Sequence, residues 1–176
     1  MRRLTSAAVV KAKPDLLPAA MKLHIIAIGQ KMPDWINAGF VEYAKRMPRE
    51  TQTLLTELKP EKRASGKTTA QIKAAERDRI LTSIPPNSTV WALDEHGEQL
   101  TTLSLASHLR DSLGSGRDIS FIIGGADGLH DDIKQHGEKL FSLSRLTLPH
   151  GLARVLLVEQ LYRAWSVTRN HPYHRE

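Results

Sequence analysis

The 176-residue chain contains no cysteine. That excludes a disulfide framework, a thiolate zinc site and any covalent mechanism with a Cys nucleophile. Long hydrophobic runs are missing too. Lys, Arg, Asp or Glu interrupts every apolar stretch before the roughly 18 residues that crossing a bilayer requires, so a soluble protein is expected. Two nucleotide-binding signatures are absent. Gly66-Lys67-Thr68 resembles the end of a phosphate-binding loop, but the first glycine of G-x-x-x-x-G-K-[ST] would have to be residue 61, which is Glu61. The segment from Lys59 to Lys67 therefore reads as a basic loop. After the first apolar run stands Gly29 alone, where a dinucleotide fold needs G-x-G-x-x-G. Internal repeats and low-complexity tracts are also absent.

Hydrophobic residues make up 40% and charged residues 25%, ordinary values for a globular chain long enough for one core and too short for two. The formal charge is +6, which suggests an anionic partner. Half of it comes from residues 1–20, where Arg2, Arg3, Lys11 and Lys13 face only Asp15, so charge alone supports RNA binding weakly. Those 20 residues, basic and Ala-rich with two prolines, read as a disordered extension or a start codon placed upstream of Met21. Residues 21–176 then form the single domain.

From Met21 onward short β-rich runs alternate with longer helical periods. Strands are expected at Leu23 to Ile28, Thr53 to Leu58, Thr89 to Leu93, Ile119 to Ile123 and Phe141 to Leu143. Helices are expected at Pro33 to Met47, Thr68 to Ile84, Thr101 to Leu113, Asp131 to Gly137 and Gly151 to Thr168. The strands are almost continuously apolar, which fits an α/β fold with a mostly parallel sheet and helices on both faces.

Three segments carry candidate chemistry. Gly124, Gly125 and Gly128 follow the fourth strand, where open α/β sheets bind ligands; on spacing alone a pocket floor and a tight turn are equally good readings. Ser144, Arg145, Leu146, Thr147, Leu148 and Pro149 form an apolar loop that could offer backbone groups to a flat heteroaromatic ring between leucines. Taken alone it would more often be a strand ending in proline. The terminus, Asn170 to Glu176, would by composition be frayed chain.

Read together, KMPDW, FIIGGADGL, SLSRLTLPH and EQLYRAWSVTRNHPYHRE resemble the ribosomal RNA large subunit methyltransferase H family, of the knotted SPOUT class. The resemblance spans Met21 to Glu176. It implies a C-terminal trefoil knot, a topology that general folding rules would not have proposed. It also implies S-adenosyl-L-methionine held by three loops, here Leu93 with Asp94, Gly124 with Gly125, and Ser144 to Pro149. The implied reaction is methyl transfer to N3 of a pseudouridine in 23S rRNA on assembled ribosomes in the cytoplasm, by a homodimer needing no metal or membrane. Absence of cysteine agrees, because methylating C5 of a pyrimidine normally needs a thiolate at C6, whereas a ring nitrogen does not.

N3 carries a proton, so a general base is required. His174 is favoured, with Tyr173 as an alternative that stacks on the base, and Arg154 and Arg163 are expected to hold phosphate or a carbonyl oxygen. Glu159 and Arg163, at i and i+4, would otherwise be a helix-surface pair. Trp91 should be core, and His150 lies beside the cofactor loop. The helix from Gly151 to Thr168 carries apolar residues on more than one stripe, which suggests that one face meets the sheet and another a symmetry-related copy. Two rival readings remain, a SPOUT enzyme acting on tRNA and a ribosome-binding factor without catalysis.

Overall fold

A computed structural model describes residues 20–63 and 66–175. The expected extension lies almost wholly outside them. The elements run β1 (Leu23–Ile28), α1 (Asp34–Ala44), a 3-10 turn (Arg49–Thr51), β2 (Thr53–Leu58), α2 (Thr69–Ser83), β3 (Thr89–Gln99), α3 (Thr102–Ser115), β4 (Ile119–Ile123), α4 (Asp131–His136), β5 (Lys139–Ser142) and α5 (His150–Thr168). All strand pairs are parallel, in the order β2-β1-β4-β3-β5. The expected α/β class with helices on both faces is what the chain forms.

Local chemistry sets the helix ends. Thr68 and Gln71 form a reciprocal capping box, in which the Gln71 N–H donates to Thr68 Oγ1 at 3.2 Å and the Thr68 N–H donates to Gln71 Oε1 at 2.9 Å. Thr101 caps α3 by accepting from the Ser104 N–H at 3.1 Å. Gly116 closes that helix in the left-handed region, φ 66°, where a side chain would be strained.

Strand alternation divides the core between the two faces of the sheet. On one face Leu23, Ile25, Trp91, Ile119, Phe121 and Ile123 pack against Phe40 of α1, Leu105 and Leu109 of α3, and Leu157, Val158 and Leu161 of α5. On the other Ile26, Ile28, Val90, Ala92 and Ile122 pack against Ile80 of α2 and against Leu129 and Ile133 around α4. Trp91 is a core residue, set edge-on to Phe121 and Phe141 at 5.6 and 5.7 Å between ring centroids. α5 packs against both α1 and α3.

β3 does not stop at Leu93. It pairs with β5 from Trp91 to Leu93, leaves the ladder, and rejoins it at Glu98 and Gln99, with Phe141 the partner of both Leu93 and Glu98. Residues 94–97 thus form an outward excursion. β5 correspondingly begins at Lys139, two residues before the expected Phe141, because its ladder with β3 starts opposite Trp91. Gly97 allows the chain to cross back, since a Cβ there would lie 2.6 Å from the backbone of Phe141. Gly97→Ala should therefore cost about 1–3 kcal/mol as an overpacked contact. Gly114→Ala, in a helix with open space around it, should instead add roughly 0.5–1 kcal/mol. Urea unfolding of the two variants checks the opposite signs.

Candidate functional site

Because β4, β3 and β5 are neighbours, the loops leaving their carboxyl ends meet. They wall a cavity of about 640 Å³, a size suited to a small-molecule ligand. One wall is Leu93 with the excursion residues Asp94 and Glu95, the second is Gly124 to Leu129, and the third runs from Ser142 to His150.

Each wall is held by its own polar contacts. In the glycine loop the Gly128 N–H donates to the Gly125 carbonyl at 3.0 Å, and Gly128 takes φ 77°. A Cβ on Gly125 would stand 3.0 Å from both Glu76 Oε2 and Ile28 Cγ2, so the loop rests directly on α2 and β1. Glu76 is itself buried, and its Oε1 accepts the Glu61 N–H at 2.9 Å. In the third wall Ser142 Oγ donates to the Ser144 carbonyl at 2.6 Å, and Ser144 Oγ accepts the Leu146 N–H at 2.9 Å. Thr147 Oγ1 donates to Glu95 Oε2 at 2.9 Å, which joins this wall to the β3 excursion. Leu146 is left 75% exposed, an apolar side chain with nothing of its own chain over it.

The titratable groups here differ in availability. Burial alone would raise the Asp94 carboxyl, but the Lys134 ammonium at 2.6 Å and the His96 N–H at 3.0 Å outweigh it and hold Asp94 below its usual value. His150 opens α5. Burial, reinforced by the nearby Arg154 charge, pushes its imidazole below the ordinary value, and its Nδ1 is buried without a hydrogen-bond partner.

Of the residues expected to bind cofactor, Leu93, Gly124, Gly125, Ser144, Leu146, Thr147, Leu148 and Pro149 all line the cavity. Arg145 does not: its Nε donates to Gln99 Oε1 at 3.1 Å, outside the lining. The residues expected to be catalytic lie elsewhere in this chain. Arg154 is buried at 1% exposure, with Nη1 donating to Glu57 Oε1 at 2.6 Å and Nη2 to the Gly29 carbonyl at 2.9 Å. Its guanidinium has no path to a phosphate, so the expected RNA contact is corrected to an internal tie. Gly29 is needed there, at φ 128° and with a would-be Cβ 3.0 Å from Arg154 Nη2.

The terminus folds back on α5. Tyr173 Oη donates to Glu159 Oε1 at 3.0 Å, and Arg163 Nε donates to the same oxygen at 2.9 Å while its guanidinium lies 4.8 Å from the Tyr173 ring centre. Burial, then the bond to the Glu159 carboxylate and one to Tyr43, raises the Tyr173 phenol well above its usual value. Both His174 ring nitrogens are buried without partners. Glu159 is nine residues along the helix from His150, about 14 Å at 1.5 Å per residue, so one chain does not bring tail and cavity together.

Glu95, Ser142 and Leu129 also line the cavity and had no sequence signal, since Glu95 reaches it only through the β3 excursion. The Gly66-Lys67-Thr68 segment is no phosphate cradle: Thr68 caps α2 and Lys67 is paired with Glu61. Bonds from Lys67 and then Arg79 hold the Glu61 carboxyl at about 2. Among the described residues there is no cluster of three or more His, Asp or Glu able to hold a metal, and no helix long and apolar enough to cross a membrane.

Comparison with known proteins now decides the family. Residues 21–174 match the family described as "Predicted SPOUT methyltransferase". The chain belongs to the SPOUT methyltransferase family. It is 59% identical over 155 residues to the protein named ribosomal RNA large subunit methyltransferase H of Nitrosomonas eutropha, covering 88% of this chain and 99% of that one. The protein of the same name from Methylobacillus flagellatus is 56% identical over 156 residues, covering 89% and 100%. Among solved structures, a methylase-family protein of Neisseria gonorrhoeae superposes with a TM-score of 0.51 over 94% of this chain and 91% of that one; at 13% identity this speaks for the fold alone.

In this SPOUT methyltransferase the Arg154 tie should be structural. Arg154→Ala strands the Gly29 carbonyl and the Glu57 carboxylate, so a loss of about 3 kcal/mol is expected, discounted from a fully buried pair because Glu57 is one-third exposed. Chemical denaturation measures it. A change under 0.5 kcal/mol would show that the guanidinium does not hold α5 to β1.

Proposed function

We propose that this SPOUT methyltransferase moves the methyl group of S-adenosyl-L-methionine to N3 of a pseudouridine in 23S rRNA, on assembled ribosomes in the bacterial cytoplasm, as a homodimer. The observation that carries the reading is the cavity at three strand ends, in a chain whose relatives named ribosomal RNA large subunit methyltransferase H match it at 55–59% identity. Transfer RNA as substrate, or ribosome binding without catalysis, would be other outcomes of the same tests.

The residues present fit the cofactor. Gly124 and Gly125 let backbone approach the ligand, Leu93, Leu146 and Leu148 offer apolar surface for an adenine ring, and the loop from Ser144 to Pro149 offers backbone polar groups. When bound, the cofactor supplies a sulfonium methyl open to in-line attack by a nitrogen. The protein's part is to hold that methyl against the target nitrogen, exclude water and accept the departing proton. The knot implied by the family resemblance belongs to the same reading. Support comes from the chain's end, where β5 is placed beyond β3 and α5 returns to pack on α1 and α3.

Labelled methyl transfer to ribosomes, isolated subunits, naked rRNA and tRNA, followed by mapping of the label, tests the substrate. Label on pseudouridine N3 of 23S rRNA is expected, with ribosomes preferred; label on tRNA alone, or none, sinks the reading. In the same assay Gly125→Val should weaken cofactor binding at least tenfold by calorimetry, since the added atoms meet Glu76 and Ile28 and must displace the loop. Unchanged affinity in a folded variant would take this loop out of the site.

The dimer reading starts on α5. Leu152 and Leu156 are the exposed apolar residues of this helix, at 36% and 40%, on one stripe with Glu159 and Arg163. This face is narrower than the apolar count implies, because Leu157, Val158 and Leu161 are core and Trp165 stacks on Tyr162 within the chain, 5.9 Å between centroids. A two-fold pairing of stripes would set each tail beside its partner's α5, so that Tyr173, His174 and Arg163 could serve the opposite cavity. Leu156→Glu should then give folded monomers with activity reduced at least 100-fold, read by light scattering and methyl transfer; fully active monomers would exclude the dimer. Mixing Gly125→Val with Tyr173→Ala, each inactive alone, should restore part of the activity if tail and cavity act across the interface.

A further inference from the structure

We propose that His150, in the chain that holds the cofactor, is the base that takes the N3 proton of the target pyrimidine. The inference rests on the reading of this cavity as a methyl-transfer site on a ring nitrogen. His150 is the one histidine that lines the cavity among the described residues. It stands at the junction between Pro149, the end of the third wall, and the first turn of α5.

The ring is fixed on one side and open on the other. Its Cε1 faces Gly29, 3.1 Å from where a Cβ would be, and Met32 of the β1–α1 loop closes around the same glycine. Nδ1 is buried without a partner, whereas Nε2 is not enclosed and has no hydrogen bond among the described residues, so it is the ring nitrogen left for a ligand beside this lining residue. The two carboxylates lining the cavity already have partners. Asp94 is bonded to Lys134 and the His96 N–H, and Glu95 accepts from the Thr147 hydroxyl. His174, by contrast, is packed against its own chain with both nitrogens enclosed.

The surroundings keep the imidazole in its basic form. The charged group beside it is Arg154, one turn along α5, itself anchored by Glu57 of β2 and the Gly29 carbonyl. Met32 and Gly29 are uncharged, Lys31 is the cation of that loop, and Asp94 and Glu95 stand on the β3 wall. Burial and the Arg154 charge both disfavour the protonated ring, so His150 stays neutral through neutral pH. The proton balance then closes. The N3–H bond breaks and the proton passes to Nε2. The freed N3 pair forms the bond to the methyl carbon, and the S–C bond breaks with its electrons left on sulfur, turning sulfonium into thioether. The imidazolium afterwards releases its proton to water.

The test is single-turnover methyl transfer to ribosomes by wild type, His150→Gln, His150→Asn and His174→Ala, from pH 5 to 9, with cofactor affinity from calorimetry. The wild type should hold a plateau that falls only below pH 6.5, since the folded value lies beneath the ordinary one. Both His150 variants should bind cofactor within about threefold of wild type yet react roughly 100-fold more slowly at pH 7, in the range of a lost general base. Their rates should climb about tenfold per pH unit, because only a pre-ionised imide can then react, whereas His174→Ala, whatever its rate, should follow the wild-type pH dependence. A His150 variant within threefold of wild type, a loss explained wholly by cofactor affinity, or the tenfold slope in His174→Ala instead would each overturn the inference. Wild type placing no methyl on a ring nitrogen would overturn the proposed function itself, and this assignment with it.

Discussion

The buried guanidinium of Arg154 connects nearly everything at the ligand end of the sheet. It reaches from α5 to the Gly29 carbonyl at the tip of β1 and to Glu57 on β2, 125 and 97 residues away in sequence. Taking an arginine out of water costs several kcal/mol, which is offset only when its donors are met with good geometry. Two of its nitrogens are met, while Nε is buried without a partner. That residual cost is tolerated where a cheaper apolar contact would do for packing, so the charge itself is what the position retains. Its neighbour His150 feels that charge, and its other contact, Gly29, can have no side chain. One ion pair thus ties the start of α5 to the β1–α1 turn, and its charge adds to burial in lowering the histidine at the cavity.

The cavity follows from strand order combined with one irregularity. Parallel strands send all their loops to the same edge, and the neighbours β4, β3 and β5 supply three adjacent walls. The β3 excursion adds the missing polar side: it brings Asp94 and Glu95 over the rim, and Thr147 ties that rim to the third wall. Only at Gly97 can the chain recross β5, because the Phe141 backbone occupies the place of any side chain. A departure from ideal sheet geometry is therefore what shapes the binding wall.

Much of this was legible in the sequence. Three strands, Leu23–Ile28, Thr53–Leu58 and Ile119–Ile123, have the expected ends, because each is an apolar run bounded by turn or polar residues. Nine of the ten residues expected at the cofactor loops, all but Arg145, line one cavity. The failures have physical causes. β3 continues through Asp94-Glu95-His96-Gly97, whose polarity reads as a loop, since the continuation is held by pairing with β5 and not by local propensity. Arg154 reads as a surface cation because nothing local marks burial; its partners come from β1 and β2. The apolar surplus of α5 overstated the second face for the same reason, as tertiary packing absorbs Trp165 beside Tyr162 and His171.

The placement of the tail bears on the proposed homodimer. Tyr173 and Arg163 converge on one Glu159 oxygen, and Tyr173 lies 4.7 Å from the Tyr162 ring, so the terminus folds back against α5 and the edge of the core beside α1. That cluster buries two nitrogens of His174 with no partner among the described residues, a cost of roughly 1–3 kcal/mol per unmet group. It also lies beside Leu156, an exposed leucine on the same helix. Exposed apolar surface of this kind is what a second protein surface covers. In the proposed dimer a two-fold copy would offer the same stripe in reverse and cover the exposed Leu152 and Leu156. In the proposed scheme the proton transfer stays inside the chain that would hold the cofactor, at His150, and the tail of a second chain would approach the cavity from outside.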